Sequence, residues 1–176
     1  NDEIHYARNV VKTNTTSVQT FVSINRGPAG VVNTGKIQWF EPMDRKVGPA
    51  TGFSVDALDK LPRVDVIYAH ANMSADLIDA AIKNGAKGLV IAGVGDGNMT
   101  TPALDAVTRA AKSGIVVVRS TRLASGITLR NNEVNDDEKG LVASGELNPA
   151  KSRVLLQLAL TKTNDPVQIQ RMFYEY

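Results

Sequence analysis

Three short, almost wholly apolar runs separated by amphipathic stretches constrain this chain more than any other feature of it. They are Val64-Asp65-Val66-Ile67-Tyr68-Ala69, Gly88-Leu89-Val90-Ile91-Ala92 and Ile115-Val116-Val117-Val118. Runs of this kind, rich in β-branched residues, belong to strands covered on both faces. Between the first two, Ala75 to Lys83 sets Leu77, Ile78, Ala81 and Ile82 at helical spacing and stops at Asn84-Gly85. Between the second and third, Thr101-Pro102 opens a helix and Lys112-Ser113-Gly114 closes it. Strand–helix alternation with short connections predicts a parallel sheet flanked by helices, an α/β fold. An irregular loop is expected from Ser120 to Gly140, then a short strand at Leu141-Val142-Ala143. Asn148-Pro149 caps a helix bearing Val154, Leu155, Leu158 and Leu160; Asp165-Pro166 starts a last one with Ile169, Met172 and Phe173 inward.

Upstream the texture differs. The first thirty residues are mostly polar apart from Val10-Val11, with Val18, Phe21, Val22 and Ile24 scattered among them. Gly27-Pro28 and Gly30 mark a turn. Val31-Val32 and Ile37-Gln38-Trp39-Phe40 flank Asn33-Thr34-Gly35-Lys36, the pattern of a β-hairpin. Residues 41–62 carry Pro42, Gly48, Pro49, Gly52 and Pro62 with no sustained period and read as a linker. The expected plan is therefore 1–40 as the end of one domain, 41–62 as linker and 63–176 as the sheet domain.

Composition removes several function classes. The 20 basic and 18 acidic residues are interspersed, without a basic block or aromatic–basic interleaving, which argues against a nucleic-acid partner. No apolar run approaches the roughly 18–20 residues a bilayer crossing needs, so no membrane partner is expected. Cysteine is absent, which excludes disulfides and thiolate chemistry. His5 and His70 have no metal-ligand spacing, so no metal is expected; no cofactor is expected either. The opening Asn1-Asp2-Glu3-Ile4 has no initiator Met or signal-peptide pattern and reads as an internal start.

In an open parallel sheet, ligands gather at the carboxyl ends of the strands. That directs attention to Gly93-Val94-Gly95-Asp96-Gly97-Asn98 and to the loop after Val118. The glycine run fails as a dinucleotide motif because Asn98 replaces the last Gly of G-x-G-x-x-G. It reads either as a flexible loop or as backbone approaching a small polar ligand, with Asn98 supplying amide donors and acceptors. Lys12, in Lys12-Thr13-Asn14-Thr15-Thr16, is either a solvated surface lysine or a desolvated proton shuttle beside hydroxyl residues. Glu133 opens the acidic stretch to Glu138, a pattern that by itself describes a solvent-facing segment.

Several segments together resemble the bacterial periplasmic-type L-asparaginase and glutaminase-asparaginase family. They are Asn1-Asp2-Glu3-Ile4-His5, Val11 to Thr16, Gly93 to Asn98, Val118-Arg119-Ser120-Thr121-Arg122, Ala143 to Lys151 and Arg153 to Thr161. The similarity runs in order along the whole chain. It implies that residues 1–40 close a larger mixed α/β N-terminal domain and that 63–176 form a smaller parallel-sheet domain of Rossmann-like or flavodoxin-like type. It also implies hydrolysis of the side-chain amide of L-asparagine, and of L-glutamine, through a threonine acyl-enzyme. The family's essential threonines, with the Asp, Tyr and Ser that accompany them, would lie upstream of Asn1, in the N-terminal part of the same protein. Lys12 matches the catalytic triad lysine. Asn98 and Glu133 match substrate-binding positions that reach into a neighbouring subunit's site and hold the α-amino group. A homotetramer built as a dimer of close dimers, and a periplasmic location, follow from the same resemblance. Asp96 stands where many family members have Asn, and the loop 131–138 is unusually charged. Two other readings compete. One is a non-catalytic periplasmic-type small-ligand binding module. The other, a receiver-type signalling domain, is disfavoured because the first sheet strand lacks the acidic cluster that phosphoryl chemistry needs.

Overall fold

The computed structural model describes residues 2–40, 42 and 44–176, and the chain divides into two compact units. The first comprises Asn1–Arg45 with the loop tip Ala124–Gly126, and the second Lys46–Leu123 with Ile127–Tyr176. Of the segments expected from sequence, Asn1 and the linker residues Glu41 and Met43 lie outside the described residues.

The first unit contains β1 (Glu3–Ile4), β2 (Val11–Lys12), β3 (Phe21–Val22), β4 (Gly30–Asn33) and β5 (Lys36–Trp39). β4 and β5 form the antiparallel hairpin, and β1 pairs with the other edge of β4. Asn33 faces Lys36 across a two-residue turn in which φ is positive at both Thr34 (49°) and Gly35 (76°). That is the turn whose twist matches the flanking strands. Gly30, opposite Trp39, is required by space, because a Cβ there would lie 2.6 Å from the Gln38 carbonyl oxygen. β2 and β3 form a separate ribbon with Lys12 opposite Phe21.

The second unit holds the parallel sheet. Its elements are β6 (Val64–Tyr68), α1 (Asp76–Lys83), β7 (Gly88–Gly93), α2 (Thr101–Lys112), β8 (Val116–Thr121), α3 (Asp136–Lys139), β9 (Val142–Ala143), α4 (Pro149–Ala159) and α5 (Pro166–Glu175). The strand order is β6-β7-β8-β9 and every neighbouring pair is parallel. Every residue of β7 and β8 is buried, as the apolar runs require. Side-chain alternation splits the core in two. Leu89, Ile91 and Val117 pack with Ile78 of α1 and Ala103, Ala106 and Val107 of α2. Val90, Val116 and Val118 pack on the other face with Leu155 and Leu156 of α4 and Ile169 and Phe173 of α5. At Gly88 a Cβ would come within 2.8 Å of Leu156 Cδ2, so α4 reaches the sheet closely only because no side chain intervenes.

Local details depart from the sequence expectation around the loop that follows β8. β8 continues to Thr121, and the irregular loop contains the one-turn helix α3. The Asn135 side chain caps that turn by accepting from the Glu138 amide, and Gly140 ends it at φ 69°. In α4, Val154 points to solvent at 53% exposure. Ser152, Leu155, Leu156 and Ala159 form the buried stripe, at i, i+3, i+4 and i+7. Residues 46–62 group with the second unit, where the Phe53 and Tyr176 rings meet edge-on with centroids 5.2 Å apart.

The open side of β9 is closed by an amide side chain rather than a strand. Gln170 Oε1 accepts from the Ala143 amide at 2.8 Å, and its Nε2 donates to the Ala143 carbonyl at 3.1 Å. Arg130 Nη1 donates to the same Oε1 at 2.7 Å. Gln170→Leu, which keeps volume and removes all three bonds, leaves the buried Ala143 backbone groups unpaired. It is expected to cost roughly 2–4 kcal/mol in urea unfolding with an unchanged slope.

Candidate functional site

At the carboxyl end of β7 the chain makes a tight excursion and returns. Val94 and Asn98 exchange backbone hydrogen bonds, each 2.8 Å. Two glycines of this loop, Gly93 and Gly97, answer to packing inside the protein. A Cβ on Gly93 would sit 2.5 Å from the Gly97 carbonyl carbon, and one on Gly97 (φ 76°) would sit 2.8 Å from Arg119 Nη1. At Gly93 and Gly97 the backbone closely approaches the loop itself and a guanidinium.

That guanidinium organises the site. Arg119 lies on β8 and is 0% exposed, as is Asp136 at the start of α3. Arg119 Nε donates to Asp136 Oδ1 at 2.6 Å and Nη2 to Oδ2 at 2.7 Å, a two-pronged charge-assisted pair. The remaining donors reach backbone: Nη1 to the Asp96 carbonyl at 2.7 Å and Nη2 to the Leu129 carbonyl at 2.9 Å. Asp136 Oδ2 also accepts from the Asn131 amide at 2.9 Å. One buried ion pair thus ties the loop after β7 to both ends of the segment 129–136.

Glu133 sits within that segment, beside Val134, which is 4% exposed and packs into the core. Asn98 Nδ2 donates to Glu133 Oε2 at 3.3 Å, and Asn98 Oδ1 accepts from the Met99 amide at 2.8 Å. The two residues lie 35 positions apart in sequence and meet at the exposed end of the sheet. Nearby, Arg130 forms an ion pair with Asp137. Hydrogen bonds from the Asn131 side chain and then from Arg130 hold the Asp137 carboxyl below its ordinary pKa. Among the described residues, Glu133 has no cation in ion-pair range and meets only the neutral amide of Asn98. The arrangement presents a carboxylate and an amide to solvent side by side, acceptor oxygens of the kind that suit a small ammonium-bearing ligand.

Lys12 belongs to the other unit and is exposed. Its ammonium donates to the Asn14 carbonyl at 2.8 Å and the Thr15 carbonyl at 3.3 Å, and lies 5.9 Å from the Phe21 ring centroid. The turn beneath it is well fixed. Thr13 donates to the Thr20 carbonyl from both its amide (2.7 Å) and its hydroxyl (2.9 Å). The Asn14 side chain accepts from the Thr16 and Ser17 amides, each at 2.9 Å. The desolvation considered for Lys12 is not provided within its own β2–β3 ribbon. Among the described residues no group of His, Asp and Glu is placed to hold a metal ion, and no helix is long and apolar enough to cross a membrane.

Comparison with known proteins gives matches along both units. Residues 63–173 match the family model described as Glutaminase/Asparaginase C-terminal domain, and residues 1–45 match that described as Asparaginase, N-terminal. The chain is 48% identical over 176 residues to L-asparaginase 2 of Escherichia coli strain K12, covering 100% of this chain and 51% of the relative. To the probable periplasmic L-asparaginase of Haemophilus influenzae it is 47% identical over 176 residues, 100% of this chain and 50% of the relative. To the glutaminase-asparaginase of Acinetobacter glutaminasificans it is 39% identical over 179 residues, 100% of this chain and 54% of the relative. The chain thus spans about half the length of the curated relatives it matches.

Truncating either side of the buried ion pair leaves an uncompensated charge, while replacing both with apolar side chains does not. Arg119→Met and Asp136→Leu are each expected to lower unfolding free energy by roughly 3–5 kcal/mol. The double variant is expected to lose less than the two single losses added together, as read from a denaturant double-mutant cycle.

Proposed function

This chain belongs to the glutaminase/asparaginase family, and on that premise we propose that it is part of an amidohydrolase acting on the side-chain amide of L-asparagine and L-glutamine. The reading is carried by the 3.3 Å approach of Asn98 to Glu133 on two loops welded together by Arg119 and Asp136. A carboxylate beside an amide, at the ligand-binding end of a parallel sheet, is suited to neutralise and orient the substrate's α-ammonium. Several matched relatives carry the names L-asparaginase or glutaminase-asparaginase.

The chemistry proposed is acyl transfer in two steps. A threonine hydroxyl from sequence upstream of Asn1 attacks the side-chain amide carbon, its proton passes to the departing nitrogen, and ammonia leaves. Water then attacks the resulting ester, releasing L-aspartate or L-glutamate and restoring the hydroxyl. Lys12 takes the triad lysine's role and conducts protons to and from the nucleophile. On this reading the desolvating wall is supplied from outside the β2–β3 ribbon, in which Lys12 is exposed. Asn98 and Glu133 serve the site of a neighbouring subunit, which makes a close dimer the active unit and a homotetramer of two such dimers the assembly. The periplasm is the proposed compartment, in keeping with the name of the Haemophilus influenzae relative.

Two substitutions in the complete protein test this together. Lys12→Met is expected to lower kcat by about 10²–10⁴-fold with an unchanged thermal midpoint. Glu133→Ala is expected to raise KM for L-asparagine by about ten- to a hundredfold. Normal turnover in the first removes Lys12 from the mechanism, and an unchanged KM in the second removes the ammonium-binding assignment.

A further inference from the structure

The Asn98–Glu133 pair needs its two loops held at a fixed separation, and Arg119 grips them only through backbone carbonyls and Asp136, below the exposed tips. A second tie lies between the tips themselves. Asp96, two residues before Asn98, has one carboxylate oxygen on each of two donors from the opposite loop. Its Oδ1 accepts from the Leu129 amide at 2.7 Å, and its Oδ2 accepts from Asn132 Nδ2 at 2.7 Å. Asn132 immediately precedes Glu133. From the juxtaposition of Asp96 with Leu129 and Asn132 we infer that Asp96 is a positioning residue, clamping the loop that carries Glu133 against the loop that carries Asn98. This rests on the proposed role of Glu133 in holding the substrate.

The chemistry of the clamp fits an acceptor-only side chain. Both partners are N–H donors aimed at it from one loop, and a carboxylate meets both without turning. The Leu129 amide is satisfied by Asp96 while its carbonyl is held by Arg119, so the two ties share one peptide segment and reinforce each other. Asp96 is only half-buried, so its removal opens no cavity in the core. Its effect is confined to where Glu133 stands.

The test uses the complete protein and kinetics on L-asparagine for four forms: parent, Asp96→Ala, Asp96→Asn and Glu133→Ala, with thermal midpoints for each. Asp96→Ala is expected to raise KM about five- to twentyfold with kcat within about threefold and the midpoint nearly unchanged. Asp96→Asn is expected to recover most of that loss. Its Oδ1 still accepts from the Leu129 amide, and a turned Asn132 amide offers oxygen to the new NH2. An unchanged KM in Asp96→Ala, alongside a raised KM in Glu133→Ala, overturns the clamp and leaves the site reading standing. Asp96→Asn no better than Asp96→Ala overturns it too, as does a parallel fall of kcat and midpoint. An unchanged KM in Glu133→Ala overturns the site reading itself.

Discussion

A single guanidinium, Arg119, decides how the carboxyl end of the sheet is arranged. It sits on a strand whose every residue is buried, so its charge has to be met inside the protein. Asp136 meets it with both oxygens, and the Asp96 and Leu129 carbonyls take up further donors. Such a pair adds little net stability over an apolar replacement, because both charges forfeit hydration. What it confers is geometry. Two segments more than thirty residues apart are fixed to one strand, and the exposed side chains they carry inherit that fixity.

The consequence is a division of labour between buried and exposed polar groups. Arg119, Asp136 and the core residue Val134 are not available to a ligand. Asn98 and Glu133 are exposed, meet at 3.3 Å and face solvent with an amide and a carboxylate. Lys12 belongs to a different local context, a short ribbon whose ammonium is tied to its own turn. In the proposed enzyme these are two half-sites. One orients the amino acid's ammonium, and the other handles protons at a nucleophile supplied by other polypeptide.

Much of the architecture was legible because burial on both faces writes itself into sequence as unbroken apolar runs. The β-branched run at 115–118 and the Thr34-Gly35 turn both translate directly into the observed strand and hairpin. Other features depend on partners distant in sequence. The acidic stretch from Glu133 to Glu138 reads as a solvated face, yet Asp136 within it is fully buried. The signal was on another element: an arginine directly after Val116-Val117-Val118 demands a buried carboxylate somewhere. Likewise the glycine run reads as a flexible loop or as backbone approaching a ligand, whereas at Gly93 and Gly97 the space is taken by backbone and by Arg119. The inward face of α4 is not legible from its apolar residues alone, because the polar Ser152 occupies the buried stripe while Val154 is exposed. The site residues themselves were named from resemblance, since a lone Lys, Asn and Glu carry no spacing signal of their own.

The most direct measurement is a crystal structure of the complete assembly with L-aspartate bound. The account requires the α-ammonium to lie against the Glu133 carboxylate with Asn98 alongside, and the side-chain carboxylate to point toward the Lys12 half-site of a neighbouring subunit. An L-aspartate seated elsewhere, with the Asn98–Glu133 pair turned to solvent and untouched, would contradict it.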